Sequence, residues 1–192
     1  MWPWEHAALG YVLASLAVRL VWLRPPDDTV ALAAVFGTQF PDLVDKPLGW
    51  VFEVLPSGIS LGHSIFTATV LCLAMLTLGF LYDRREAALA FCIGYLSHLP
   101  ADVLYPTING GEPTWSILLW PFVVSDSRGA EPAAAFIQSL FENYVGKLVS
   151  GQGMSELLIL EVVLLLGVLL VWQIDGRPGI PPFGNGPVRS PH

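Results

Sequence analysis

Three histidines and three aspartates in the first 102 residues have the side chains that bind a divalent metal. They are His6, Asp42, Asp45, His63, His98 and Asp102. Two of them, His98 and Asp102, are four residues apart in GYLSHLPADVLY, with Pro100 between them. Residues at this spacing lie on one face of a helix, so an imidazole and a carboxylate can bind one cation there. By itself the pair could equally be an interfacial histidine hydrogen-bonded to a nearby carboxylate.

The second pair, Asp42 and Asp45 in FPDLVDKPL, converges only if a helical turn continues past Pro41. In the alternative interpretation this segment is a solvated loop, in which Asp42 caps a helix and Asp45 is exposed or pairs with Lys46. A single histidine at the start of an apolar run, such as His63, is more often an interfacial residue than a ligand. The prediction of a metal site therefore depends on whether all six side chains meet.

The composition of the chain indicates a membrane protein. Of its 192 residues 54% are hydrophobic and only 13% are charged, and the mean hydropathy is +0.60. Soluble domains carry about a quarter of their residues as Asp, Glu, Lys and Arg. We therefore predict a single all-α, polytopic membrane domain over residues 1–174, with four or five transmembrane helices and one re-entrant or interfacial segment.

Four apolar runs approach the length needed to cross a bilayer, about 20 residues. They cover residues 7–23, 64–82, 86–101 and 157–174. Two shorter uncharged runs, 29–41 and 113–125, are more typical of half-helices or interfacial segments. The run 29–41 must nevertheless cross the bilayer, or nearly cross it, if the helices before and after it are to alternate in direction across the membrane. Residues 131–150 have the apolar spacing of an amphipathic surface helix, and the Pro/Gly-rich tail 175–192 is predicted to be disordered.

The basic residues predict which helix ends face the cytoplasm. With the amino terminus outside, six of the nine Lys and Arg residues fall on the cytoplasmic side, and DRRE at 83–86 is the clearest anchor. All six candidate ligands then fall at the extracytoplasmic face, at four separate helix ends. Unrelated polar residues would not generally share one side of the membrane, so this arrangement favours a common site.

Mixed imidazole and carboxylate donors suit zinc, manganese or iron better than calcium or magnesium. Six donors exceed the four of a tetrahedral zinc site, which leaves room for a second metal or for a carboxylate that orients a ligand. Such a site lowers the pKa of bound water toward neutrality and polarises a phosphoryl or carbonyl oxygen. The residues therefore point to metal-dependent hydrolysis.

Other functional classes have less support in the sequence. The net charge is −7 and no basic cluster is large enough to follow a phosphate backbone, which argues against a nucleic-acid partner. Arg19 and Glu161 lie inside apolar runs, where they could pair with each other or belong to a transport path; a structural role is favoured for Glu161. Cys72 and Cys92 are expected to be buried free thiols.

The motifs resemble those of the YdjM family, also described as membrane-bound metal-dependent hydrolases. The matching segments are Glu5-His6, Pro41-Asp42 with Asp45, His63-Ser64, Gly94-Tyr95-Leu96-Ser97-His98 with Asp102, and Leu119-Trp120-Pro121. The chain differs from many relatives at 58–60, where Gly-Ile-Ser replaces His-Arg-Gly. It also differs in the spacing of Asp42 and Asp45, which is one residue wider than in the Pro-Asp-x-Asp form of the motif. A fainter likeness, to the zinc-dependent phospholipase C and P1-type nuclease group, implies phosphoester hydrolysis.

We therefore predict a multi-pass hydrolase of the plasma membrane that acts on a phosphoester or lipid-linked substrate through a divalent metal, zinc or alternatively manganese. The predicted metal ligands are His6, Asp42, His63, His98 and Asp102. Asp45 is predicted to orient the water or act as general base, with Glu5 as the alternative. Two other functions stay open: a non-catalytic membrane protein in which a metal or polar cluster ties helix ends together, and, with less support, a transporter.

Overall fold

The computed structural model describes residues 1–124 and 154–180, together with residues 135, 138, 141–142 and 145–146. Within residues 1–124 and 154–180 the chain forms five α-helices and no β-strand, so the all-α prediction is confirmed. The helices are α1 (Pro3–Trp22), α2 (Asp28–Lys46), α3 (Ile65–Leu81), α4 (Arg85–Leu104) and α5 (Met154–Ile174). A π-helical segment, Pro47–Val51, follows α2, and two 3-10 helices, Tyr105–Asn109 and Trp115–Leu119, follow α4.

Helix α4 lies at the centre of the bundle and packs against α1, α2 and α3. Glycines allow α2 and α4 to approach each other closely. A Cβ at Gly94 would overlap the carbonyl oxygen of Ala34, and a Cβ at Gly37 would overlap that of Phe91. Small residues at a helix crossing bring two backbones together in this way. The close approach places the backbone of α2 within hydrogen-bonding distance of side chains on α4.

Both candidate aspartate segments lie on helices that continue past a proline. Helix α2 runs through Pro41 to Lys46, which puts Asp42 and Asp45 in its last turns and extends the helix beyond the apolar run 29–41. Helix α4 continues through Pro100 to Leu104. At the other end of α2, Asp27 is the N-cap and accepts a hydrogen bond from the backbone of Val30 at 3.0 Å.

The interior is built from small and aromatic side chains. One cluster contains Ala68 and Cys72 of α3 with Phe91, Tyr95 and Leu99 of α4. Cys92 belongs to the same cluster, and both cysteines are buried free thiols, as expected. Because α4 contributes most of this cluster, its orientation is defined by packing on several sides.

One described helix, Arg85–Thr107, is long and apolar enough to cross a membrane, judged by length and composition. Ile65–Leu81 and Ile159–Ile174 are apolar but shorter. Large apolar side chains are exposed on the last two, among them Val70 and Leu170. Exposed apolar surface of this kind is typical of a helix in contact with lipid. The number of crossings, four or five, stays a prediction.

Helix α5 packs against α1 and ends at a buried carboxylate. Asp175 accepts hydrogen bonds from Tyr11 at 2.6 Å and Ser15 at 2.7 Å, and it pairs with the guanidinium of Arg19. The tail predicted to begin at residue 175 therefore starts with an anchored side chain. Residues 181–192 of that tail, and most of the surface helix predicted over 131–150, lie outside the described residues.

Candidate metal centre

Four segments of the chain bring metal-binding side chains together at one end of the bundle. The donor atoms of Asp42, His63, His98 and Asp102 all lie within 4.8 Å of one another. Asp42 comes from the end of α2, His63 from the loop before α3, and His98 and Asp102 from successive turns of α4. Both imidazoles are buried, whereas 14% of the Asp42 side chain and 15% of the Asp102 side chain is exposed.

The separations among His63, His98 and Asp102 match those of metal ligands, and Asp42 lies slightly further from the two imidazoles. The Nε2 atoms of His63 and His98 are 3.2 Å apart, and Oδ2 of Asp102 lies 3.4 Å from the first and 3.3 Å from the second. Oδ1 of Asp42 lies 3.6 Å from Nε2 of His63 and 4.0 Å from Nε2 of His98. Ligands of a tetrahedral zinc ion, with bonds of about 2.0–2.1 Å, are about 3.3–3.4 Å apart. The four residues therefore fit a divalent metal.

Nδ1 of each buried imidazole, the ring nitrogen that faces away from the other donors, lies within hydrogen-bonding distance of an acceptor. Nδ1 of His63 lies 2.8 Å from Oδ2 of Asp45, and Nδ1 of His98 lies 2.6 Å from the carbonyl oxygen of Thr38. Histidines that bind metal almost always donate their other ring N–H to a carboxylate or a backbone carbonyl. These two bonds therefore leave Nε2 of each ring facing the other donors.

Asp45 holds the loop that carries His63. Its carboxylate is fully buried and accepts hydrogen bonds from the backbone N–H groups of Ser60 at 2.6 Å, Gly62 at 2.7 Å and His63 at 3.2 Å. Together with the imidazole N–H, four donors converge on this one carboxylate. Asp45 thus fixes both the position of the loop and the orientation of the His63 ring.

Two further residues position the loop, and neither was predicted to belong to the site. The hydroxyl of Tyr95 donates to the carbonyl oxygen of Gly62 at 2.6 Å. Ser64, the N-cap of α3, donates to the carbonyl oxygen of Trp120 at 2.6 Å. Tyr95 could have been found from its spacing, because it lies three residues before His98 on the same helix.

The charges around His63 favour its protonated form when no metal is bound. Burial lowers the pKa of this imidazole, but hydrogen bonds with Asp102 and Asp45 outweigh that effect and raise it to about 9. Asp42 faces two groups at once, since its Oδ1 points toward the imidazoles and its Oδ2 pairs with the ammonium of Lys46. The centre is therefore an electronegative site that attracts a cation.

His6 lies beside this set of four rather than within it. Its ring stacks on that of His98 with the centroids 3.8 Å apart, and its Nε2 lies 3.1 Å from Oδ1 of Asp102. The side chain is buried, and neither ring nitrogen makes a hydrogen bond.

Glu5, the alternative to Asp45 as a base, accepts a hydrogen bond from the backbone of Trp2 at 2.6 Å.

The two charged residues inside apolar helices do not pair with each other. Glu161 accepts a hydrogen bond from the indole of Trp4 at 2.9 Å. Arg19 pairs with Asp175 instead. Both contacts join α5 to α1, as expected of the structural role favoured for Glu161.

Comparison with known proteins decides the family. A family model described as "YdjM inner membrane protein" matches residues 1–177. The chain belongs to this family. The match to the YdjM family includes every predicted metal ligand and all five helices. Among curated proteins none matches the chain, and among solved structures none does either. The likeness to the zinc-dependent phospholipase C and P1-type nuclease group accordingly stays a prediction.

Proposed function

We propose that this YdjM-family protein is a membrane-bound hydrolase that depends on a divalent metal and cleaves a phosphoester of a lipid or lipid-linked molecule. The observation that carries the proposal is the convergence of Asp42, His63, His98 and Asp102 within 4.8 Å. Zinc is the metal that we propose, with manganese as the alternative, because imidazole and carboxylate donors together suit both.

The protons on the two imidazoles explain why a cation is needed. A carbonyl oxygen can only accept, so Nδ1 of His98 must carry the hydrogen that it donates to Thr38. The carboxylate of Asp45 imposes the same tautomer on His63. In their neutral forms both rings then present bare Nε2 lone pairs to each other and to two carboxylates. A proton or a metal ion between them removes this repulsion, and four donors at these separations favour a metal.

When bound, the metal supplies a water of lowered pKa and polarises a phosphoryl oxygen. The protein's own residues bind the cation and keep the site partly open. His63 and His98 are fully buried, whereas Asp42 and Asp102 reach the surface. A substrate therefore approaches from the carboxylate side, where Lys46 provides one positive charge next to Asp42.

Asp45 acts in this proposal as a positioning residue for His63. The carboxylate is fully buried and both of its oxygens already accept hydrogen bonds, one of them from Gly62. A general base needs an oxygen that is free to take a proton from the reacting water. Both predicted roles of Asp45, to orient the reacting water or to act as general base, therefore have less support than the positioning of His63.

A lipid substrate is favoured by the surroundings of the site. The family is one of inner membrane proteins, and α4, which carries His98 and Asp102, is the described helix suited to cross a bilayer. Both residues lie in the second half of α4, near one end of that span. Trp4 is exposed at the same end of the bundle, and tryptophan is enriched where a helix meets the membrane surface. We place this end at the extracytoplasmic face, with the amino terminus outside.

The test measures metal content and hydrolysis on the protein purified in detergent. We expect the wild type, stripped and reloaded, to bind zinc or manganese and to hydrolyse phosphoesters only when loaded. His63→Ala/His98→Ala should lose both, while Tyr11→Phe, a buried change in α1 whose hydroxyl bonds Asp175 and none of the proposed ligands, should keep both. A folded wild type that binds no metal would overturn the proposal. Metal that raises thermal stability without any turnover would favour the structural role.

A further inference from the structure

We propose that Asp102 bridges two metal positions and that His6 holds the second one. This inference rests on the metal site of the proposed function and extends it. The ligand is a divalent cation of the class that accepts imidazole and carboxylate donors.

The two oxygens of Asp102 face different histidines. Oδ2 lies 3.3 Å from Nε2 of His98 and 3.4 Å from Nε2 of His63. Oδ1 lies 3.1 Å from Nε2 of His6 and accepts a hydrogen bond from the amino terminus of Met1 at 3.2 Å, which a cation bound there would displace. A carboxylate with one oxygen toward each of two sets of nitrogen donors has the geometry of a bridging ligand.

His6 does not belong to the set that surrounds the first position. The set whose donor atoms all lie within 4.8 Å of one another consists of Asp42, His63, His98 and Asp102, without His6. His6 therefore lies outside the four-donor set, although it shares Asp102 with it.

His6 has two polar atoms that the protein leaves without a hydrogen bond. The residue is 1% exposed, and both Nδ1 and Nε2 are buried without a partner. Buried polar atoms in folded proteins are almost always paired, and each exception calls for an explanation. The ring is also held rigidly, because it stacks on His98 at 3.8 Å. A cation between Nε2 of His6 and Oδ1 of Asp102 gives Nε2 of this buried, fixed imidazole a partner.

The second position has fewer protein ligands than the first. Two described donors, His6 and Asp102, face it together with the ammonium of Met1, whereas four donors face the first position. It should therefore bind its ion more weakly and leave more of the coordination to water or substrate oxygens. Pairs of metal ions bridged in this manner suit in-line displacement at phosphorus, which agrees with the proposed phosphoester substrate.

The test uses manganese as the probe, with the full chain in detergent. We expect the wild type to bind two equivalents, one at least tenfold more weakly, and the doubly loaded protein to show the electron paramagnetic resonance signal of a coupled manganese pair. His6→Phe keeps a ring stacked on His98 and removes both nitrogens. It should bind one equivalent, with the tight affinity changed less than threefold and the coupled signal lost. Asp102→Asn should weaken both equivalents, and Tyr11→Phe should bind as the wild type does.

Two results would overturn the second position. If both the wild type and His6→Phe bind one equivalent of manganese, the second position does not exist and the four-residue metal site stands alone. A wild type with two equivalents but no coupled signal would place the second ion elsewhere. No manganese or zinc in the folded wild type would instead overturn the proposed function together with this inference. Because the coupled signal is read on the wild type, the outcome does not depend on whether the variants fold.

Discussion

The carboxylate of Asp45 lies 2.8 Å from Nδ1 of His63, on the side of the ring opposite the metal centre. Through this contact a fully buried residue orients Nε2 of His63, the atom that we propose as a metal ligand. The bond fixes the tautomer of His63, and the other hydrogen bonds of Asp45 fix the loop that carries it.

Replacing Asp45 should weaken metal binding without removing a ligand. Asp45→Asn loses the charge that orients the His63 ring, and comparable changes behind a metal-binding histidine cost about 10–100-fold in affinity. Competition with a chromophoric chelator measures the dissociation constant. Asp27→Asn is the matched control, because asparagine also caps α2 and the site lies at the other end of the helix. Equal affinities in Asp45→Asn and wild type would contradict the role that we assign to Asp45.

Metal affinity should rise with pH until the proton on His63 has been lost. The pKa of His63 in the metal-free protein is raised to about 9, and the metal must displace this proton from Nε2. Affinity should therefore increase by about tenfold per pH unit between pH 6.5 and 9 and level off above that range. Titration calorimetry in buffers of different ionisation enthalpy counts the released protons. A flat profile between pH 6.5 and 9 would contradict the protonated state.

The stability of the metal-free protein should have the opposite pH dependence. The pKa of His63 is higher in the folded protein, at about 9, than its ordinary value of 6.5. Its ion pairs with Asp45 and Asp102 therefore stabilise the fold fully below about pH 6.5, and this stabilisation is lost as the pH rises through 9. Thermal unfolding of stripped wild type across this range measures the effect. The same scan on His63→Gln should be flatter, and identical slopes would contradict the prediction.

The α2–α4 crossing should not tolerate a methyl group at Gly94. A Cβ there would overlap the carbonyl oxygen of Ala34, and overpacking of this kind costs about 1–3 kcal/mol. Gly94→Ala should therefore lower the melting temperature and, because His98 lies one turn further along α4, reduce metal affinity as well. Gly167→Ala is the control, since a Cβ at that position in α5 meets no atom within 4 Å. Equal losses in the two variants would show that the crossing is not the cause.

Asp175 should hold α5 on the bundle without affecting the metal centre. Asp175→Asn weakens hydrogen bonds from Tyr11, Ser15 and Arg19, and we expect a loss of about 1–3 kcal/mol in the free energy of unfolding. Limited proteolysis should then cut near α5 faster, while the metal content stays unchanged. Asp83→Asn, in which an exposed carboxylate is neutralised, is the comparison. Unchanged proteolysis would contradict the anchoring role.

The sequence predicted much of the metal centre because its signals are local. His98 and Asp102 share a helical face by their spacing, and the helical period holds wherever the helix forms. The class of fold also followed from composition, since apolar runs with few charges favour helices over other structures in a membrane. Local sequence does not decide whether a helix continues past Pro41 or Pro100; both helices do continue, although each proline removes a backbone hydrogen bond.

Only the tertiary structure decided which atoms meet. The partner of Arg19 is Asp175 rather than Glu161, and Asp45 lies behind His63. It also decided that the two oxygens of Asp102 face different histidines. Such pairings join residues distant in sequence, so no local spacing encodes them. They follow from the close approach of α2 and α4 at their glycines and from the path of the loop that carries His63, and both are set by contacts between distant segments.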